Sequence, residues 1–116
     1  MITLRKSRER RHKRHGNTEV WRTFSRADSS EEFAGGFGML ESLDEGKLSP
    51  RAASFRQRKR AGDTLTYVRE GALAYVDSMG LSGVVRAGEF QRRTTTASVI
   101  HRESNASHAD SAHVFR

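Results

Sequence analysis

Between Thr64 and Arg93 apolar and polar positions alternate, and glycine interrupts them at short, regular intervals; no other feature limits the fold as tightly. Leu65 and Tyr67 lie in one phase, Leu73 and Tyr75 in the next run, then Val84 with Val85, then Phe90. A period of two puts successive side chains on opposite faces of an extended strand, whereas a helix needs apolar residues three and four apart. Glu70-Gly71, Met79-Gly80 through Gly83, and Ala87-Gly88 break the runs every 8 or 9 residues. That is the spacing of short antiparallel strands in a sandwich or barrel. The expected class is all-β, and no helical period competes with it in this half.

A chain of 116 residues builds one core, so a single domain spanning 1–116 is expected. That core is thin: Leu, Ile, Val and Phe make up 22 of the 116 residues, at the edge of what a chain with net charge +7 needs to fold. Cysteine is absent, which excludes disulfides, thiolate metal sites and a thiol nucleophile. No run approaches the roughly 18 apolar residues of a membrane span, and no apolar segment follows the basic start as in a secretory signal. The expected compartment is therefore the cytoplasm, with no membrane partner.

The positive charge is concentrated in two places. Arg5, Lys6, Arg8, Arg10, Arg11, Lys13 and Arg14 face only Glu9 within residues 1–15, read as a basic amino-terminal strand. Arg56, Arg58, Lys59 and Arg60 form a second knot, and the remainder is mildly acidic. Such clusters attract phosphates or other anions with an affinity that falls as salt rises, so Arg10, Arg11, Lys13, Arg14, Arg56, Arg58, Lys59 and Arg60 are candidate contacts for nucleic acid or an anion. No recognition-helix pattern or aromatic stacking pattern accompanies them, and solvated basic segments are the plainer account.

Pro50 lies in the polar stretch Glu45 to Arg51, which reads as a loop. Gly35-Gly36-Phe37-Gly38 reads as a turn, and Ser29-Ser30-Glu31-Glu32 as the cap of a short helical turn. Residues 105–116 read as a loose tail, with Ser, Ala, His and Asp in no period. Trp21, Phe24, Phe33, Phe37 and Phe90 fit a core better than a ligand pocket, since aromatics are most often interior. Ser107, His108 and Asp110 are too close in sequence for a hydrolase triad, the Asn105-Ala106-Ser107 sequon does not meet glycosylation machinery in the cytoplasm, and the glycines near 36 lack the lysine of a phosphate loop.

Several segments, in order, resemble the pirin family of cupin proteins. Met1-Ile2, Leu4-Arg5-Lys6, Glu9-Arg10, His12 and His15-Gly16 are similar to its first strand, and Trp21 with Thr23-Phe24-Ser25 to its HTFSF signature. Gly36-Phe37 with Leu40, Thr66-Tyr67-Val68 with Glu70-Gly71, and Asp77-Ser78-Met79-Gly80 continue the match. Ala87-Gly88-Glu89-Phe90-Gln91 and His101, Glu103 and Asn105 resemble the later strands. The resemblance implies a cupin-type jelly-roll barrel holding one metal, usually iron, through three histidines and one glutamate. It also implies links to transcriptional regulation and, in some members, to oxygen-dependent cleavage of the flavonol quercetin.

In the family pattern two ligand positions fall on Gln57 and Lys59, and two on His101 and Glu103. Residues two apart on a strand share a face, so each pair projects together. An ammonium has donors only and repels a cation, so this set implies a vestigial site without metal, in which an anion is the better guest. Either Lys59 pairs with Glu103 across the former metal position, or Lys59 reaches solvent and His101 and Glu103 serve only internal hydrogen bonds. A different ligand set, His101, Glu103, His108 and His113, requires ordering the tail.

The favoured function is a non-catalytic regulatory or accessory binding protein with no cofactor. The alternatives are a quercetin 2,3-dioxygenase-like enzyme using iron or another transition metal, with Glu103 as base, a basic nucleic-acid-associated regulator, or a remnant without selected function. Val114-Phe115-Arg116 reads as a stub of the strand that completes the barrel, leaving an open edge to be covered by a second copy or a partner protein. Ser42, Thr64 and Arg92 stand where the family has apolar residues.

Overall fold

The structure is a computed structural model that describes residues 2–26, 37–53, 62–95 and 100–116. Among the described residues a single 3-10 turn, Ser7–Glu9, precedes nine strands. These are β1 (Arg11–His15), β2 (Thr18–Ser25), β3 (Ser42–Leu48), β4 (Gly62–Glu70), β5 (Ala72–Asp77), β6 (Ser82–Arg86), β7 (Phe90–Thr95), β8 (His101–Asn105) and β9 (Ala112–Phe115). Six form one sheet in the order β1-β2-β3-β9-β4-β7, and three form a second in the order β6-β5-β8. Every pairing is antiparallel. Together they make the two-sheeted jelly roll of the cupins. Among the described residues no helix is long and apolar enough to cross a membrane.

The glycine-punctuated runs are strands β4 to β7, as their period requires, but one phase differs. Thr66 and Val68 turn inward, whereas Leu65 stays 56% exposed and Phe90 66% exposed. The core is Leu48, Ala52, Val68, Leu73, Val85, Ala112 and Val114, with Tyr75 packed against it. Of the aromatic residues expected inside, Phe24 is buried, Trp21 is half-buried, Phe37 and Phe90 are exposed, and Phe33 lies outside the described residues. Phe90 stands opposite Tyr67 in the outward phase of β4 and β7, the phase that Leu65 shares.

Three further expectations are corrected. Glu45 to Leu48 is not loop but the second half of β3, and the chain turns only from Ser49. Residues 105–116 are not a loose tail. β9 lies in the middle of the large sheet, with β3 on one side and β4 on the other, and Ala112, His113 and Val114 are buried. It is therefore no stub leaving an open edge: the edges of that sheet are β1 and β7.

Asn105 explains how a polar segment comes to be held in the core. Its amide nitrogen donates to the carbonyls of Leu48, Ser49 and Asp110 at 3.0, 3.2 and 2.8 Å, while its oxygen accepts from the Ser107 amide at 2.9 Å. The side chain thus replaces a backbone ladder and aims the chain back into the sheet. The expected capped turn at Ser29–Glu32 lies outside the described residues.

Candidate functional site

β8 and β7 belong to different sheets and face each other across the barrel, so alternate residues of each meet inside. His101 and Glu103 stand opposite Asp77 and Tyr75 of β5, and Gln91 and Arg93 stand opposite Thr66 and Thr64 of β4. Arg93 crosses the interior to place a guanidinium nitrogen 2.9 Å from Glu103 Oε1. Arg116, immediately after β9, binds the other carboxylate oxygen, Oε2. It also donates from Nε to Thr66 Oγ1 at 3.0 Å, and its backbone continues the ladder with Asp44. The Glu103 and Arg116 side chains are 4% and 3% exposed, and Arg93 is 14% exposed.

Two guanidiniums flank this one carboxylate in a setting with little water. Burial pushes the Arg93 guanidinium below its ordinary value, Arg116 pushes the same way, and Glu103 opposes both. Oε2 of the buried carboxylate accepts from Arg116, whereas Oε1, though 2.9 Å from Arg93, forms no hydrogen bond of good geometry. Nearby on the inner face, Arg22 binds buried Asp44 in a two-pronged pair, 2.8 Å to Oδ1 and 2.9 Å to Oδ2. Two polar atoms beside the triad, His101 Nε2 and Gln91 Oε1, are fully buried with no hydrogen-bond partner.

The expected site is only partly brought together. His101 and Glu103 do share a face inside the barrel. Gln57 and Lys59, with Arg56, Arg58 and Arg60, lie outside the described residues, so the expected Lys59–Glu103 pair falls there too. Arg93 and Arg116, the partners Glu103 has here, were not among the expected residues. The doublet Arg92-Arg93 conceals which arginine points inward, and Arg116 follows a segment read as tail.

The alternative ligand set does not form among the described residues. His108 accepts a hydrogen bond from Arg51 at 3.0 Å, and His113 meets Glu45 at 2.6 Å on the opposite face of its strand. Ser107 Oγ accepts the amides of Ala109 and Asp110 at 3.1 and 2.9 Å, which makes it a turn cap and not a nucleophile.

Basic residues of the amino-terminal strand are partly neutralised. Arg10 reaches Glu45 at 2.5 Å and Arg14 reaches Glu19 at 2.6 Å. His12 joins Glu19 at 3.0 Å and stacks on Trp21 with ring centres 4.8 Å apart. Arg11 and Lys13 point to the other face of β1 and are exposed.

A family model described as Pirin matches residues 4–116. The chain belongs to the pirin family. It is 34% identical over 116 residues to a quercetin 2,3-dioxygenase of Escherichia coli strain K12, covering 100% of this chain and 50% of that one. A putative quercetin 2,3-dioxygenase of Pseudomonas aeruginosa is 28% identical over 105 residues, covering 90% of this chain and 45% of that one. The crystal structure of the bacterial pirin YhhW from E. coli in complex with nickel(II) matches with a TM-score of 0.80 and 34% identity, over 99% of this chain and 50% of that one. The chain thus spans about half the length of the pirins it matches. A Drosophila melanogaster CENP-C cupin domain, 11% identical with a TM-score of 0.66, shares the fold alone.

The described residues do not assemble a donor set for a metal ion. Both oxygens of Glu103 are engaged by guanidiniums, and no group of three or more His, Cys, Asp or Glu is placed to hold a metal ion among the described residues.

Proposed function

We propose that this chain is a metal-free pirin-type cupin that acts by binding, as a regulatory or accessory protein, and not as an oxidising enzyme. The observation that carries this reading is the triad Arg93–Glu103–Arg116, in which guanidiniums take both oxygens of the one carboxylate in the expected ligand set. A divalent ion there must displace two buried cations from their counter-ion and then sit beside them, against strong repulsion in a low dielectric. The enzymatic reading draws on the names of the relatives and on the retention of His101 and Glu103.

Metal content separates the two readings. Protein purified without chelator and dialysed against iron(II), nickel(II) or copper(II) is expected to retain far less than one ion per chain. Stoichiometric metal, with consumption of quercetin and oxygen, overturns the proposal. The triad also makes restoration conditional. Gln57→His with Lys59→His is expected to stay metal-free, and the same pair with Arg93→Met to gain uptake. Uptake by the first variant equal to that of the second removes Arg93 from the argument.

A further inference from the structure

We propose that the outer edge of β1 takes up an extended acidic peptide of a partner protein as a further antiparallel strand. The inference names a partner class for the binding role proposed above and rests on that reading in supposing that a partner exists. The edge itself lies outside the barrel and does not depend on its contents.

β1 closes one side of the large sheet and has β2 as its single neighbouring strand among the described residues. In an antiparallel strand alternate residues turn amide and carbonyl away from the neighbour, so an outer edge offers a row of donors and acceptors to another chain. All five residues of β1, Arg-His-Lys-Arg-His, are exposed, and none is acidic. A second copy of the same edge would set cation against cation, and a neutral strand would gain only the backbone bonds. The edge therefore discriminates in favour of carboxylates.

β2 already shows what an acidic neighbour does. Glu19 stands directly opposite Arg14, binds it at 2.6 Å and also meets His12 at 3.0 Å. The bond from Arg14, then that from His12, hold the Glu19 carboxyl below the ordinary glutamate value. One carboxylate on an adjacent strand thus engages two basic side chains of β1. On the opposite face of β1, Lys13 and His15 stand across from Val20 and Thr18, which carry no charge. Lys13 and His15 are exposed and make no ion pair or side-chain hydrogen bond among the described residues. A strand on the outer side with glutamates two residues apart would present a row of carboxylates to them, because residues two apart share a face at the spacing of β1 itself. A nucleic acid would meet the charge and leave the backbone groups of the edge unused, which favours a peptide.

The probe is a blocked, fluorescent peptide of alternating threonine and glutamate, about nine residues long so that it outruns β1 at both ends. Anisotropy at low salt is expected to give a dissociation constant on the order of 100 μM, weakening as salt rises. Amide exchange is expected to slow in β1 on binding and to stay unchanged in β7, the other edge of the sheet. Lys13→Glu with His15→Glu is expected to weaken the peptide at least tenfold. The same peptide methylated at every backbone nitrogen keeps its charge and loses its donors, and is expected to bind at least fivefold more weakly.

Equal affinity for the plain and methylated peptides overturns the inference, since charge alone then suffices. Slowed exchange in β7 instead of β1 overturns it, as does undiminished binding by the doubly reversed variant. Should that variant not fold, Lys13→Gln with His15→Gln takes its place, with at least a threefold loss expected. Duplex DNA is titrated at the same salt, and tighter binding than the peptide, with exchange slowed in β1, assigns the edge to nucleic acid and overturns the inference. Metal content is measured on the same samples: metal-free protein that ignores the peptide sinks this inference alone, whereas stoichiometric iron or nickel in protein that binds the peptide sinks the metal-free reading and leaves the edge standing.

Discussion

Glu45 shows at the scale of one residue how a charge on the outer face can organise a sheet. It receives Arg10 at 2.5 Å and His113 at 2.6 Å, which ties the amino-terminal segment to β3 and β9. Burial raises its carboxyl, but the hydrogen bonds from Arg10 and His113 outweigh that and hold it below the ordinary glutamate value. A carboxyl lowered by folding stabilises the native state fully above its unfolded value, near 4.3, and loses that contribution as pH falls through the folded value. Glu45→Gln is therefore expected to lower stability at pH 7 and to flatten its fall between about pH 5 and 3. Denaturant midpoints across that range measure it, and superimposable slopes for the two proteins contradict it. Glu103 illustrates the opposite case: its spacing from His101 is visible in the chain, but nothing in the pattern shows that Arg93, on the preceding strand, and Arg116, just after the following one, turn toward it.

At the scale of elements, β9 depends on two devices, and each yields a prediction. Asn105 satisfies three carbonyls with one amide group. Asn105→Ala leaves those acceptors without their donor inside the protein and is expected to cost about 2–4 kcal/mol, from roughly 1–3 kcal/mol per abandoned buried group after partial rehydration. Hydrogen exchange is expected to speed up in β9 first, and unchanged protection of Val114 would show that the sheet holds without the staple. Gly71 joins β4 to β5 with φ 75°, and a Cβ there would lie 2.7 Å from the Ser111 carbonyl oxygen and 2.9 Å from the Ala112 Cα. Gly71→Ala combines a left-handed backbone with a clash against backbone, so a loss above ~1 kcal/mol is expected in chemical denaturation. Elsewhere a glycine such as Gly80 has open space around its Cβ position, and Gly80→Ala is the control for conformation alone.

For the whole molecule, the thin core and the outer face bear on association. Leu65 and Phe90 are exposed on neighbouring strands β4 and β7, with the Tyr67 ring tilted against that of Phe90, centres 4.7 Å apart. β7 is also a sheet edge. A chain that presents such a face is expected to self-associate. Sedimentation at tens of micromolar is expected to give a mass above that of one chain, reduced by Phe90→Ser; a monomer at that concentration contradicts the expectation. The basic segments are expected to give only weak, salt-steep binding to duplex DNA, because Arg10 and Arg14 already have carboxylate partners. Binding insensitive to salt would contradict it.

By itself the sequence determined the class and the succession of strands and turns between Thr64 and Arg93, because period two and glycine spacing are local properties that backbone geometry converts directly into strands and turns. Motif resemblance likewise located His101 and Glu103 on one face. Only the tertiary structure decided which phase of β4 turns inward, why a Ser- and Asp-rich terminus becomes a central strand, and what Glu103 meets. Those outcomes depend on pairings such as β9 with β3 and β4, and on Arg93 and Arg116 converging from separate strands. Burial and charge compensation are set by neighbours in space, and a linear pattern of residues does not contain them.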